Sequence, residues 1–208
     1  MIKHAQNLKG FTLIKDYLTV EQENELIKKI NEQNWVIDYQ RKLQYYNYRN
    51  ELFDPYDLIP IPSKIPDFLN ELIEQMINDK IIDEKPDQII INEYEPGQGL
   101  RPHFDRKDYY KNTIVGVSLG SGITMDFYRG GKLPEKKSLY LPRRSVYVLK
   151  DDARYIWKHG IPPRKYDIVD GKEIPRGTRI SITFRNVIPE KVKYENIIYP
   201  RRSPIGVV

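Results

Sequence analysis

The sequence predicts an α+β fold in which a β-sandwich of the jelly-roll kind is supported by N-terminal helices. Two observations predict it. Apolar residues recur at helical spacing in the first third of the 208 residues, and after residue 87 short β-branched or aromatic segments alternate with turns. The hydrophobic fraction of 39% and the charged fraction of 30% are typical of a folded chain with one substantial core. We therefore expect a single domain over residues 1–208.

Residues 1–86 are expected to form an N-terminal extension that carries the helices. Thr19-Val-Glu-Gln22 fits a capping box, which predicts a helix from there to about Asn34–Trp35. Residues 54–66 contain four prolines and are predicted to be a connector. Apolar residues from Phe68 to Ile77 then repeat at i, i+1, i+4 and i+5, so we expect a second helix packed against a sheet.

Tyrosines alternate with cations between Val36 and Asn50, and this pattern leaves two interpretations open. One is a tyrosine-rich strand pair that covers the core. The other is a mobile lid whose aromatic rings stack on a base while its cations hold phosphates. The lid interpretation assigns substrate contacts to Arg41, Tyr45, Tyr46, Tyr48 and Arg49.

Residues 87–187 are predicted to form the sandwich, and residues 188–208 are a polar tail. An earlier strand-like segment is Phe11–Leu18. The predicted strands of the sandwich are Gln88–Glu95, Thr113–Leu119, Ile123–Tyr128, Ser138–Leu141, Ser145–Leu149 and Arg179–Arg185.

Composition excludes several classes of site. The chain has no cysteine, which rules out disulfides, thiolate zinc sites, iron–sulfur clusters and a thiol nucleophile. No apolar run or N-terminal segment suggests a membrane span or a secretion signal, so we expect an intracellular protein of the cytoplasm or nucleus, away from membranes. A net charge of +5 is explained by solubility as readily as by nucleic-acid binding, and the 16 tyrosines favour the latter.

A metal site in this chain must be built from histidine and carboxylate. His103 and Asp105 lie two residues apart after a strand and a glycine-containing turn, and His159 follows a later tryptophan. Alone, the His-x-Asp pair is a weak signal, and a surface histidine beside a turn carboxylate explains it better than a metal site does. Two histidines and one carboxylate together are the ligand set of non-haem Fe(II) oxygenases, although other divalent metals accept the same ligands.

A second group of polar residues lies on predicted strands. Arg179 and Arg185 are six residues apart, so both face the same side of a strand, with Ser181 between them. Two arginines turned into a sandwich are costly unless each meets an anion, and a dicarboxylate would satisfy both. Asn92 and Tyr94 also alternate on one strand just before the His-x-Asp pair.

Together these motifs resemble the AlkB family of Fe(II)- and 2-oxoglutarate-dependent dioxygenases. The resemblance covers most of the chain, is strongest from about Ile89 to Val187, and implies a double-stranded β-helix with Fe(II) and 2-oxoglutarate as cofactors and O2 as co-substrate. The motifs that carry it, in order, are Asn92-x-Tyr94, His103-x-Asp105, His159 and Arg179-x-Ser-x-Thr-x-Arg185.

The resemblance implies roles for these residues. His103, Asp105 and His159 would hold Fe(II), and together with Arg185 they are the expected catalytic residues. Arg179 would anchor the distal carboxylate of 2-oxoglutarate. The expected cofactor-binding residues around it are Asn92, Tyr94, Ser181 and Arg185, of which Arg185 would meet the carboxylate next to the keto group. The family converts 2-oxoglutarate to succinate while hydroxylating a C–H bond, and hydroxylated N-methyl groups are then lost as formaldehyde.

Three departures from the family bear on the cofactor or the substrate. Ser181 stands where the family usually has asparagine, and it can still donate one hydrogen bond. Asn47 stands at a common glycine of a segment that resembles the family's nucleotide-recognition lid, and asparagine tolerates a left-handed turn. Lys107 replaces an acidic residue of DNA-repair members, which disfavours a cationic methylated base and places Lys107 among the expected substrate contacts.

The segments Leu141–Ser145 and Arg154–Asp167 are similar to the branch that hydroxylates modified wobble uridines in tRNA. The expected partner is therefore nucleic acid, with RNA slightly preferred over DNA. That branch also carries an RNA-recognition domain and a methyltransferase domain. This chain shows neither, so we expect it to bind RNA through its own surface or with a protein partner. Two alternatives remain: the same chemistry on a protein side chain or small molecule, or a non-catalytic nucleic-acid-binding module.

Overall fold

The structure is a computed structural model that describes residues 2–4, 8–38, 40–50, 58–132 and 134–192. Most of the predicted polar tail, residues 193–208, lies outside the described residues, as does Tyr39 of the tyrosine-rich segment. No helix in the described part of the chain is long and apolar enough to cross a membrane.

Helix α1 spans Val20–Asn31 and begins with the predicted capping box. The Thr19 hydroxyl accepts a hydrogen bond from the Gln22 backbone N–H at 3.1 Å, and the Gln22 side chain accepts one from the Thr19 N–H at 2.9 Å. The helix ends earlier than the predicted Asn34–Trp35. Its buried stripe stops at Ile30, because the residues three and four positions further on are polar and cannot extend the apolar face.

Helix α2 (Asn70–Asn78) follows a 3-10 turn at Asp67–Leu69, and its buried residues are those of the predicted apolar face. A third helix, α3 (Asp151–Tyr155), was not predicted from the sequence. It has five residues, which is too short to show helical periodicity.

The strands, in chain order, are β1 (Ile2–His4), β2 (Phe11–Ile14), β3 (Val36–Asp38), β4 (Arg41–Tyr46), β5 (Tyr48–Asn50), β6 (Leu58–Pro60), β7 (Gln88–Tyr94), β8 (Leu100–His103), β9 (Tyr110–Leu119), β10 (Ile123–Arg129), β11 (Glu135–Leu141), β12 (Ser145–Leu149), β13 (Lys158–Ile161), β14 (Tyr166–Val169), β15 (Lys172–Pro175) and β16 (Arg179–Val187). The six predicted strands of the sandwich are β7, β9, β10, β11, β12 and β16. The short strands β1, β8, β13, β14 and β15 were not predicted, and β6 lies where a connector was expected.

Two sheets form the sandwich. The large sheet has the order β1-β2-β12-β9-β16-β7-β4-β3, and the small sheet has the order β11-β10-β13-β8. One core lies between the large sheet and the helices and includes Ile30 of α1, Met76 of α2 and Ile182 of β16. The second core lies between the sheets and joins residues of the large sheet, such as Ile114, to residues of the small sheet, such as Phe127.

The alternation along β16 follows this division into two cores. Ile180, Ile182 and Phe184 pack into the core on the helix side. Arg179 and Arg185 alternate with these residues along the strand and therefore line the space between the sheets. A strand with period two therefore directs the polar residues of β16 into the sandwich, as the sequence predicted.

Candidate active site

Two histidines and one aspartate meet at the edge of the small sheet. His103 at the end of β8 lies directly opposite His159 of β13, and the two ring centroids are 4.5 Å apart. Asp105 follows β8, and its Oδ2 lies 3.5 Å from His159 Nε2. One ligand atom from each of the three residues lies within 4.8 Å of the others, so the three can hold one metal ion.

The surroundings of these groups favour the protonation states that metal binding requires. His103 Nδ1 lies 2.9 Å from the Arg101 carbonyl oxygen, so the proton on Nδ1 leaves Nε2 free for a metal. Burial, together with neighbouring His103, lowers the pKa of His159 to about 3, which keeps this imidazole neutral. Burial alone raises the pKa of Asp105, but the Arg185 guanidinium outweighs it and holds the pKa well below its usual range.

The close approach of β8 to β13 depends on a glycine beside the metal ligand. A Cβ added to Gly160 would lie 2.8 Å from the Leu100 carbonyl oxygen and 2.9 Å from the Pro102 nitrogen. Any side chain there would push β8, and with it His103, away from His159. Gly160, the residue after His159, therefore allows His103 and His159 to lie close together.

A cavity of about 260 Å³ opens beside these residues, between the two sheets. Its apolar wall consists of Leu43, Ile90, Leu100, Phe104, Ile114, Met125, Leu149 and Ile161. The predicted cofactor residues Asn92, Tyr94, Arg179, Ser181 and Arg185 all line it, together with the metal residues. The structure therefore brings the two predicted groups of polar residues into one space.

Arg179 is the most deeply placed cation of this cavity, with 1% of its surface exposed. Its Nε donates to the Ser118 hydroxyl at 2.8 Å, and its Nη2 donates to the Ser181 hydroxyl at 3.3 Å. Its Nη1 is buried and has no hydrogen-bond partner among the described residues. A buried guanidinium nitrogen without a partner costs free energy, and a carboxylate in the cavity would satisfy it. The donor set therefore fits 2-oxoglutarate, with Ser181 orienting the arginine.

Arg185 lies nearer the metal residues. Its Nη2 donates to Asp105 Oδ1, and its Nη1 donates to Gln88 Oε1 at 3.2 Å. This contact makes Arg185 the main reason that Asp105 stays ionised despite its burial. Its Nε is also buried, and in the part of the chain that the structure describes it has no hydrogen-bond partner. The expected contact of Arg185 with the carboxylate next to the keto group of 2-oxoglutarate remains a prediction.

Sequence reasoning missed three residues that shape the site. Ser118 orients Arg179 from β9. Tyr147 of β12 lines the cavity, and burial raises its pKa to about 12, so its phenol keeps its proton. One signal for Tyr147 was available: Gly116 stands inside a strand, and a Cβ there would lie 2.1 Å from the Tyr147 ring. A glycine inside a strand often marks such a close approach.

The third missed residue is Arg154 of α3, which is 2% exposed. Its Nη1 donates to the Asp105 carbonyl oxygen at 2.6 Å, and its Nη2 donates to the Arg106 carbonyl oxygen at 2.9 Å. Arg154 therefore fixes the loop that carries Asp105 to the helix that precedes His159. Only tertiary structure reveals this, because the two segments are far apart in sequence.

The tyrosine-rich segment forms strands, as expected from the interpretation of this segment as a strand pair. Strand β4 is hydrogen-bonded to β7 within the large sheet, and Asn47 after it has the predicted left-handed conformation, with φ of 61°. Arg41 and Tyr45 line the cavity, and their contacts with a substrate remain predictions. Tyr46 faces the helices, is 5% exposed and donates a hydrogen bond to Gln44 Oε1 at 2.9 Å. The prediction that Tyr46 stacks on a substrate is therefore wrong.

The other predicted substrate residues lie around the cavity rather than in its lining. Tyr48 of β5 packs against the core between the sheets. The guanidinium of Arg49 lies 5.8 Å from the centroid of the Tyr45 ring. Lys107 is exposed, and its Nζ lies 3.9 Å from the centroid of the Phe104 ring. Their contacts with a substrate remain predictions.

Comparison with known proteins connects this geometry to a family. A model of the 2OG-Fe(II) oxygenase superfamily matches residues 10–185. The chain is 71% identical over 203 residues to protein L905 of Acanthamoeba polyphaga mimivirus, covering 98% of this chain and 97% of that protein. It is 32% identical over 228 residues to the tRNA (carboxymethyluridine(34)-5-O)-methyltransferase ALKBH8 of Mus musculus, covering 93% of this chain. The match spans only 33% of the mouse protein.

The fold has known counterparts as well. The structure of OsALKBH1 superposes with a TM-score of 0.64 at 14% sequence identity, covering 89% of this chain and 100% of that one. At this identity the likeness concerns the fold alone, and it confirms the predicted jelly roll with supporting helices.

Proposed function

Because this chain belongs to the AlkB family of the 2OG-Fe(II) oxygenase superfamily, we propose that it hydroxylates a modified base in nucleic acid, with RNA preferred over DNA. It is a dioxygenase that uses Fe(II) and 2-oxoglutarate. The observation that carries the proposal is one cavity that joins a His-Asp-His metal triad to a buried arginine with an unpaired nitrogen. Whether the hydroxylated group is retained or lost as formaldehyde depends on the substituent.

The division of roles follows from the contacts. His103, Asp105 and His159 would hold Fe(II), which supplies the O2-dependent decarboxylation of 2-oxoglutarate that drives hydroxylation. Arg179 would bind the distal carboxylate of 2-oxoglutarate, and Ser118 and Ser181 hold its guanidinium in place.

Arg185 keeps Asp105 ionised and fixed in orientation through a charged hydrogen bond. The apolar wall of the cavity excludes water from the reacting groups, which strengthens each of these electrostatic interactions. Arg41 and Tyr45 stand on the wall contributed by β4, where a base can meet a cation and an aromatic ring.

Relatives support the choice of nucleic acid. Mouse ALKBH8 acts on a carboxymethyluridine of tRNA, and a relative in Caenorhabditis elegans is a DNA N6-methyl adenine demethylase. The higher identity to the tRNA enzyme, 32% against 24%, favours RNA.

Charge further narrows the class of base. Four arginines line the described cavity, namely Arg41, Arg106, Arg179 and Arg185, whereas Asp105 is the one carboxylate in that lining. Fe(II) and 2-oxoglutarate together add no net charge, so the positive excess persists in the loaded site. A cationic methylated base is therefore disfavoured by like-charge repulsion, and an uncharged modified base is favoured.

The test is succinate release with short oligonucleotides that differ only in one base modification, in ribose and deoxyribose versions. We expect succinate to appear in step with loss of an uncharged modified uridine in RNA, and to appear more slowly with a cationic 1-methyladenosine. His103→Ala should abolish both reactions. If no modified oligonucleotide accelerates succinate release above its unmodified counterpart, while a peptide or small molecule does, the nucleic-acid assignment is wrong.

A further inference from the structure

Phe104 occupies an unusual place for a phenylalanine in this chain. It stands between the metal residues His103 and Asp105 and lines the same cavity, yet its side chain is only partly buried. By contrast, Phe127 and Phe184 have 0% and 1% of their surface exposed. Phe68 is partly buried as well, but it packs against the core on the helix side, whereas Phe104 belongs to neither core and keeps part of its surface accessible beside the metal site.

Two lysines converge on this ring from different parts of the fold. The Nζ of Lys107, in the loop after β8, lies 3.9 Å from the ring centroid, and the Nζ of Lys158, on β13, lies 5.8 Å from it. Both side chains are exposed. Within the part of the chain that the structure describes, neither ammonium group forms an ion pair with a carboxylate, although exposed lysines such as Lys111 and Lys136 do.

We propose that Phe104, Lys107 and Lys158 form a binding site for the nucleotide adjacent to the reacting base. This inference rests on the proposed function and names a nucleic-acid contact outside the reaction centre. An aromatic face stacks on any base, and two unpaired ammonium groups beside it bind the phosphates that flank that base. Because Phe104 adjoins two metal residues in sequence, a base stacked on it is a direct neighbour of the base at the metal.

The arrangement also predicts how the free protein differs from the complex. Without nucleic acid, the Lys107 ammonium covers the ring in a cation–π contact, which at an exposed site is weak. A phosphate offers the ammonium a stronger partner, so the lysine can move to it and leave the ring face open for a base. The same two lysines therefore protect the apolar ring in the free protein and bind the strand in the complex.

The lysines can be tested without disturbing the metal residues. Binding of a short fluorescent ribo-oligonucleotide is measured over a range of salt concentrations with protein loaded with Mn(II) and 2-oxoglutarate, which does not turn over. Each phosphate contact to a single strand contributes about 0.7 to the slope of log K against log salt. The double variant Lys107→Gln/Lys158→Gln should therefore flatten that slope by about 1.4. The matched control is Lys28→Gln/Lys64→Gln, which removes two exposed lysines outside the cavity lining and should leave the slope unchanged.

The ring is tested by Phe104→Leu, which keeps an apolar side chain and removes the aromatic face. We expect oligonucleotide binding to weaken roughly 5- to 150-fold, the range that stacking on one base corresponds to. The loss should be larger for the oligonucleotide than for turnover of the modified base as a free nucleoside, which has no neighbouring nucleotide.

The outcomes separate this inference from the proposed function. If the wild-type protein converts a modified oligonucleotide and the lysine double variant keeps the wild-type salt slope, the adjacent-nucleotide site is refuted and the proposed function stands. If the wild-type protein shows no salt-dependent oligonucleotide binding and no conversion, both are refuted. Equal losses for the oligonucleotide and the free nucleoside in Phe104→Leu would assign the ring to the reaction centre and contradict the inference.

Discussion

Replacing Arg179 by methionine should separate cofactor binding from folding. In the protein without 2-oxoglutarate, this arginine is a fully buried cation whose Nη1 has no partner and whose two hydrogen bonds go to neutral hydroxyls. Burial without an anion lowers the pKa of Arg179, which reflects the cost of holding the charge there. Methionine replaces the arginine side chain as far as the Nε position and carries no charge, so Arg179→Met removes this cost.

The substitution should change the free energy of unfolding only slightly but weaken 2-oxoglutarate binding strongly. Replacing buried charge by an apolar side chain is often neutral or stabilising, so the free energy of unfolding without cofactor should fall by no more than about 1 kcal/mol. Removing one partner of a buried, hydrogen-bonded charge pair costs about 2–5 kcal/mol. At about 1.4 kcal/mol for each factor of ten, 2-oxoglutarate should bind about 30- to 4000-fold more weakly.

Two measurements on Arg179→Met test this prediction. Calorimetry follows 2-oxoglutarate binding to Mn(II)-loaded protein, and denaturant unfolding without 2-oxoglutarate gives stability. Arg129→Met is the control, because Arg129 pairs with Glu135 at the surface and should affect neither cofactor binding nor, by more than about 1 kcal/mol, stability. If Arg179→Met binds 2-oxoglutarate as tightly as wild type, or unfolds several kcal/mol more easily, Arg179 is a structural residue and the reasoning fails.

Three further predictions concern the scaffold of the site. Gly160→Ala places a Cβ 2.8 Å from a backbone carbonyl oxygen of β8 and should weaken Mn(II) binding, whereas Gly130→Ala, with no atom within 4 Å of the new Cβ, should not; equal affinities would contradict this. Arg154→Met removes hydrogen bonds to the loop after β8 and should lower metal affinity about 10- to 100-fold, with partial recovery in Arg154→Lys. If Arg154→Met loses only thermal stability, Arg154 does not position the metal residues. Burial alone raises the pKa of Asp167, but hydrogen bonds from Arg176 hold the pKa below its usual range, so the free energy of unfolding should fall as pH drops below about 4. Asp167→Ala should cost about 3–5 kcal/mol at neutral pH, and an unchanged acid profile in the variant would refute this.

Much of the site could be predicted because it depends on strand periodicity and on residue chemistry. Arg179 and Arg185 share a face of β16 because side chains alternate with period two, and this holds wherever the strand pairs. The histidines and Asp105 were identifiable because a chain without cysteine has few other ways to bind a transition metal.

Other features depend on tertiary contacts that local pattern does not contain. Tyr45 and Tyr46 are adjacent and both faces of β4 carry apolar residues, so the sequence offers no parity signal, and a shift of one residue exchanges the two faces. Arg154 and Ser118 act on residues far away in sequence. Strand β8 spans four residues and includes a proline, so its pairing with β13 is visible only once both strands are placed.

The most direct test of the metal and cofactor site is the absorption spectrum of the protein with Fe(II) and 2-oxoglutarate under anaerobic conditions. If His103, Asp105 and His159 hold Fe(II) beside 2-oxoglutarate bound by Arg179, a charge-transfer band should appear only when both are present. The band should persist in the surface variant Arg129→Met and be lost in His103→Ala. No band in the wild-type protein, or an unchanged band in His103→Ala, would contradict the assignment of this site.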